Sequence, residues 1–224
     1  MKNAVLTTIV ALMSAVSLTA AAADEKPAKT ETAIVGGGCF WCTEGAYKIV
    51  PGILKVVSGY AGGAKDNPTY EEICTGTTGH AEVVKVTFDS AKLTYKDVID
   101  LFFDLHDPTT VTKEDAIVHG KFMPKGTPYQ GHDYGTQYRS IILFETEEQK
   151  KMAEQSKVEA AKKFTDPIVT EIVPLKKFYP AEDYHQDYFA NNPNQPYCSA
   201  VVGPKIKKFK EKLAAREAAK AKQP

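Results

Sequence analysis

The sequence predicts an α+β fold, a two-layer sandwich in which helices cover a mixed sheet on the split β-α-β (ferredoxin-like) plan. Three observations lead there. Alternating or short apolar runs and helix-periodic runs follow one another along the chain. The first six run strand, helix, strand, strand, helix, strand, the order of the split β-α-β unit. The 224 residues, 43% hydrophobic and 25% charged, suit one ordinary domain, and no internal repeat or clear domain boundary interrupts them.

The elements are read in order. Residues 33–35 form a short buried strand running into Gly36, Gly37 and Gly38. Helical spacing runs over 40–50 until Pro51 and Gly52 stop it. Residues 53–60 make a second strand that turns at Gly62 and Gly63, and Asn67-Pro68 opens a loop or short helix carrying Tyr70 and Cys74. Residues 81–88 alternate Val83, Lys85 and Thr87 against Val84, Val86 and Phe88, a clear strand. Leu93, Val98, Leu101 and Phe102 share one face of a helix that Thr94 caps. A long irregular stretch, 106–135, is punctuated by Pro108, Pro124, Gly126, Pro128 and Gly131. A strand over 137–144, a charged amphipathic surface helix over 147–164, a strand over 168–174 and a short helix over 182–191 follow. From Pro204 the chain is basic and helical, with Ile206, Phe209 and Leu213 on one side.

The N-terminus has the composition of an export signal. Lys2 precedes an apolar, small-residue run over 4–18 that ends at four alanines before Asp24. A membrane anchor is the competing reading, for which this apolar core is short. The expected organisation is a cleaved signal peptide at 1–23, a flexible lead-in at 24–32, a catalytic domain at 33–204 and a basic helical tail at 205–224. An exported, periplasmic protein without stable membrane insertion is expected. The 28 basic and 28 acidic residues cancel, so no net field draws nucleic acid or an anionic membrane.

Four cysteines remain: Cys39, Cys42, Cys74 and Cys198. In an exported protein an even count first suggests structural disulfides. A chain this long needs no such staples, and Cys39-Phe40-Trp41-Cys42 directly after three glycines suits redox chemistry better. Glycines at the end of a strand let the chain turn and present the next residue. A helix beginning just after Cys39 would aim free N–H groups at its sulfur and favour thiolate, the nucleophile. A buried packing cysteine is the plain alternative. Phe40 and Trp41, the only tryptophan, suit an apolar pocket for a methyl thioether, or ordinary core packing.

Gly38-Cys39-Phe40-Trp41 resembles the signature of A-type methionine sulfoxide reductases. So do, in family order, Asn67-Pro68-Thr69-Tyr70, Thr78-Gly79-His80-Ala81-Glu82-Val83, His106-Asp107-Pro108-Thr109, the block 133–140 and the block 178–186. The resemblance spans nearly all of 33–204. It implies reduction of methionine S-sulfoxide, free or in oxidised proteins, with Cys39 as nucleophile passing through a sulfenic acid. It implies that Glu82 is held protonated to donate to the sulfoxide oxygen, with Tyr70 and Tyr138 touching that oxygen or a neighbouring water. Asp133 would orient substrate or solvent, and His80 and His185 would support the site through hydrogen bonds. Cys198 resembles the C-terminal resolving cysteine of many members, in a loop after the last helix. Cys42 stands where many relatives have Gly; it is either a resolver, at the cost of straining the first helical turn, or a relay for the disulfide. Cys74 reads as a packed structural residue. Thioredoxin or a thioredoxin-like dithiol would regenerate the enzyme, with no metal or organic cofactor. One departure is the long link around 113–128 ahead of Asp133.

Three other readings of the residues stand beside this one. A thioredoxin-like disulfide oxidoreductase would use Cys39-x-x-Cys42, although Trp then normally precedes the first Cys. A metal module would use Cys39, Cys42 and His80, although a structural zinc site wants a second close ligand pair. A non-catalytic interaction domain is a third.

Overall fold

The structure is a computed structural model and describes residues 29–221. The expected signal peptide and most of the lead-in lie outside the described residues. In chain order the elements are β1 (Thr30–Gly36), α1 (Phe40–Lys48), β2 (Ile53–Ala61), α2 (Tyr70–Cys74), β3 (Ala81–Asp89) and α3 (Tyr95–Leu105). Then come β4 (Ala116–Val118), β5 (Lys121–Met123), β6 (Tyr129–Gln130), β7 (Asp133–Tyr134), β8 (Ile141–Phe144) and α4 (Glu147–Ala161). The chain finishes with β9 (Glu171–Pro174), β10 (Phe178–Pro180), α5 (Tyr188–Asn191) and α6 (Gly203–Lys220).

Six strands form one sheet in the order β10-β2-β3-β1-β8-β9. The β8–β9 pair is parallel and the other pairings are antiparallel, so the sheet is mixed. Alternation along the central strands sorts the side chains. Val35, Val84, Val86 and Ile142 face a large core with Phe40, Tyr47, Ile99 and Phe102 from the helices. Ile34, Ala61, Val83, Ile141 and Leu143 form a smaller apolar cluster. Each large side chain buried this way contributes roughly 1.5–3 kcal/mol. By the same period of two, Glu82 falls on the side of Val84 and Val86, where a charge is least expected. Helix starts are fixed locally: Thr69 with Glu72 and Thr94 with Asp97 close reciprocal capping boxes.

Several expectations need correction. The lead-in is not loose up to residue 32, because Thr30 and Thr32 pair with Asp89 and Thr87 in the sheet. The expected strand over 137–144 begins only at Ile141; residues 136–138 are a 3-10 turn closed by Tyr138 N–H to the Gly135 carbonyl, 3.0 Å. The expected helix over 182–191 is split into a 3-10 turn (Asp183–His185) and α5 by Asp187, whose φ is +55°. Strand β10 had no signal, being a three-residue edge strand that ends in proline, where no ladder N–H is needed. The extra residues of 113–128 fold as the hairpin β4–β5, followed by the small hairpin β6–β7. The expected boundary at 204/205 falls inside α6, whose Ile206 and Phe209 join the main core against α1 and α3.

Candidate active site

The site is built where β1 ends. Gly36 has the carbonyl of Glu82 2.4 Å from where a Cβ would stand, so any side chain would push β3 away. Gly38 adopts φ +95° with Gln130 side-chain carbons 2.7 Å from the same position, a turn only glycine makes without strain. That turn delivers Cys39 as the N-cap of α1, outside the helix at φ −56°, ψ 125°. The first helical N–H, that of Phe40, donates to Glu82 Oε2 at 3.0 Å, so a carboxyl from the sheet caps the helix in place of the Cys39 side chain.

Cys39, Glu82, Tyr70, Tyr138, Asp133, Phe40 and Trp41 all line one cavity of about 150 Å³. All seven residues expected to carry or shape the chemistry around the nucleophile are thereby brought together. Phe40 is buried, Trp41 is half-buried, and Trp41 stacks on Tyr188 with centroids 3.8 Å apart. Both aromatics thus wall the pocket and pack against the fold.

The protonation states follow from burial. Glu82 is 2% exposed, and desolvation first, then the potentials of Cys39 and Asp133, push its carboxyl well above the usual range despite the Phe40 N–H. That shift favours the protonated acid, the form able to donate. Cys39 corrects an expectation. Its sulfur does sit at the helix start with the Trp41 N–H favouring thiolate, but the residue is only 6% exposed. Desolvation and then the adjoining Cys42 thiol outweigh that N–H and push the Cys39 thiol well up. Burial likewise raises the Tyr70 and Tyr138 hydroxyls, which therefore stay protonated donors.

All four cysteines are free thiols. Cys42 lies within reach of Cys39, at the third helical position, where a side chain meets its N-cap without bending the helix. Cys198 is fully buried in a five-residue π-turn (Cys198–Val202) that feeds α6, rather than in a loop, and it feels the potential of Cys39. Cys74 is half-exposed, not packed away, and lies beside the Tyr70 hydroxyl and within the field of Glu82.

His80 behaves as expected: its Nδ1 accepts from Gly63 N–H at 3.1 Å and its Nε2 is 2.7 Å from the Lys65 carbonyl. His185 does not. It is buried among Phe40, Tyr70 and Tyr184 rings, and among the described residues neither ring nitrogen makes a hydrogen bond, Nε2 lying 4.0 Å from Glu182 Oε2, so its contact with the site is by packing. Two further residues escaped sequence reasoning. Tyr197 lines the cavity and donates to Asp133 Oδ2 at 2.6 Å, tying the segment of Cys198 to the pocket. Glu182 accepts from Tyr60 hydroxyl at 2.8 Å and from Tyr70 N–H at 2.9 Å, which fixes where α2 presents Tyr70. Adjacency of Tyr197 to Cys198 was the one available signal for the first; for Glu182 it was its place in the block 178–186 that resembles the family.

A buried cysteine at a helix N-terminus, facing a neutral carboxylic acid and flanked by further thiols, defines a thiol-based oxidoreductase. The sequence model described as peptide methionine sulfoxide reductase matches residues 31–218, and the chain belongs to that family. A peptide methionine sulfoxide reductase MsrA of Saccharolobus solfataricus is 49% identical over 179 residues, 80% of this chain and 92% of the relative. One of Leptospira borgpetersenii is 51% identical over the same length, covering 93% of the relative. Among solved structures, reduced Mxr1 of Saccharomyces cerevisiae is 35% identical with a TM-score of 0.66, covering 77% of this chain and 91% of that one. Methionine sulfoxide reductase A of Corynebacterium diphtheriae gives 0.61 at 33% identity, covering 76% and 78%.

Proposed function

We infer that this protein is a peptide-methionine (S)-S-oxide reductase that uses its own thiols to return oxidised methionine, free or in proteins, to the thioether. The observation that carries the reading is the convergence of Cys39, Glu82, Tyr70 and Tyr138 on one small, partly apolar cavity. The substrate methyl group lies against Phe40 and Trp41, and its oxygen faces the Glu82 carboxyl and the tyrosine hydroxyls. Cys39 sulfur attacks the sulfoxide sulfur while Glu82 gives its proton to the oxygen. The proton leaving Cys39 replaces it on Glu82, so the step is neutral overall. This suits a site where burial disfavours both charged forms. Collapse transfers the OH to Cys39 and releases the thioether; Cys39 is oxidised by two electrons as the sulfoxide is reduced by two.

A second thiol then condenses with the Cys39 sulfenic acid and expels water. Cys198 is the first resolver in this reading, with Cys42 as an alternative or a relay. A thioredoxin or thioredoxin-like dithiol outside the cytoplasm regenerates the enzyme, an expectation that rests on the family resemblance and the export-like N-terminus. Asp133 orients substrate or solvent while it holds Tyr197. The sheet order β8-β1-β3-β2 at its centre, with α1 and α3 as crossovers, supports the split β-α-β plan as the frame. The metal reading is weakened because both His80 nitrogens are engaged by the backbone.

The test is turnover of a dabsyl-methionine sulfoxide by the purified chain with dithiothreitol. Reduction of the S epimer alone, lost in Cys39→Ser, is expected. Disulfide exchange without sulfoxide reduction would install the thioredoxin-like rival.

A further inference from the structure

A second cavity, of about 340 Å³, lies on the other side of the first turn of α1, and Cys42 is part of its wall. Its rim is basic. Lys205, Lys208 and Lys212 line it from α6, and among the described residues neither Lys205 nor Lys208 makes an ion pair. Lys212 donates to the Asp104 carbonyl at 2.6 Å. The two carboxylates of the lining offset only part of this charge. Asp104 is already paired with Lys163 at 2.9 Å and Arg216 at 3.3 Å, which leaves Asp107, held by the N–H and hydroxyl of Thr109, as the one unpaired carboxylate against the lysines. His106 adds no charge, since burial lowers its pKa to about 4. A thiol that reaches the catalytic sulfur therefore opens into a hollow of small-molecule size, in which lysines outnumber the unpaired carboxylates.

We propose that this basic cavity docks a small anionic thiol, which reduces the enzyme through Cys42. The proposal rests on the sulfoxide-reductase reading above. A Cys39–Cys42 disulfide arises when Cys42 condenses with the sulfenic acid, or when Cys42 attacks Cys39 sulfur and displaces Cys198. The docked thiol attacks Cys42 sulfur, the S–S bond breaks, and Cys39 leaves with the electron pair and takes a proton. A second thiol attacks the mixed disulfide at the small molecule's sulfur. Cys42 is released as a thiol and a small-molecule disulfide departs. Two thiols lose one electron each and the protein disulfide gains two. The lysines bring the anion to Cys42 and hold its carboxylates, the chemistry of a short acidic peptide thiol.

Glutathione, which carries two carboxylates, is the probe. The full chain is assayed with glutathione and with uncharged dithiothreitol, and the same is done for a Lys205→Gln/Lys208→Gln double variant. The ratio of glutathione-supported to dithiothreitol-supported turnover is expected to fall about tenfold in the double variant. Independently of turnover, Cys39→Ser protein treated with glutathione disulfide should carry the adduct on Cys42, formed about tenfold faster with the lysines present. An unchanged ratio, an adduct on Cys74 or Cys198 instead, or turnover supported by a protein dithiol and never by glutathione would overturn the proposal. Loss of sulfoxide reduction with every reductant, dithiothreitol included, would instead strike the underlying reading.

Discussion

Replacing Glu82 by glutamine separates what this residue does for catalysis from what it costs the fold. Glutamine keeps the shape, an oxygen to accept the Phe40 N–H, and N–H groups that can face the substrate oxygen. It cannot give up a proton. Losing acid catalysis while keeping a donor should lower kcat about 10²-fold. Glu82→Ala removes both and should lower it about 10³-fold or more. It also orphans the buried Phe40 N–H, at about 1–3 kcal/mol of stability. Stability should move the other way for glutamine. Burial raises the Glu82 pKa in the folded chain, whereas in the unfolded chain it ionises near about 4.3. Between those two values the unfolded state sheds a proton that the native state keeps, so native stability falls as pH rises, by up to about 1.4 kcal/mol per unit. Below the unfolded value the penalty vanishes. Urea titrations should therefore find Glu82→Gln more stable than the parent at pH 7, with the difference closing toward pH 4. Equal kcat for the glutamine and alanine variants, or a glutamine variant no more stable at pH 7, would refute the neutral-acid assignment.

Other consequences are equally open to measurement. Cys39 should react with iodoacetamide more slowly at pH 7 than a free cysteine, its rate rising with pH through a midpoint above the ordinary thiol range, since burial holds the proton on; a midpoint below it would contradict that. Cys198→Ser should release one methionine per chain and then stall without reductant, unless Cys42 completes the disulfide, which peptide mass mapping reveals. Gly38→Ala should cost about 1–3 kcal/mol in urea unfolding, since the residue sits at φ +95° against Gln130. Tyr197→Phe removes the bond to Asp133 and should cost about 1 kcal/mol. It should also speed alkylation of Cys198, now fully buried, if that bond helps to hold the segment closed.

Much of this site was legible because its parts are local. Three glycines before a cysteine announce a strand-to-helix turn, whereas a Glu opening a strand reads as a surface charge, and it is the family resemblance that assigns Glu82 to the buried side where β3 places it. The family blocks supplied the rest of the cavity wall, including Asp133, whose place survives the added β4–β5 hairpin. What failed was non-local. The thiolate expectation preferred the helix end over the buried alternative, because Tyr70, Glu82, Tyr138 and Tyr197, which close the cavity around Cys39, come from chain far away in sequence. Tyr138 was placed on a strand because Gln137 to Phe144 reads as extended until the 3-10 turn after Gly135 intervenes. Cys74 looked structural because nothing in α2 alone says that it sits beside the Tyr70 hydroxyl and Glu82.

The central claim is that the sulfur of Cys39 takes the oxygen itself. One equivalent of methionine S-sulfoxide, added to reduced protein without reductant, should yield one equivalent of methionine, and tryptic mass mapping should find Cys39 in a disulfide with Cys198 or Cys42. Methionine formed while Cys39 stays a free thiol would contradict it.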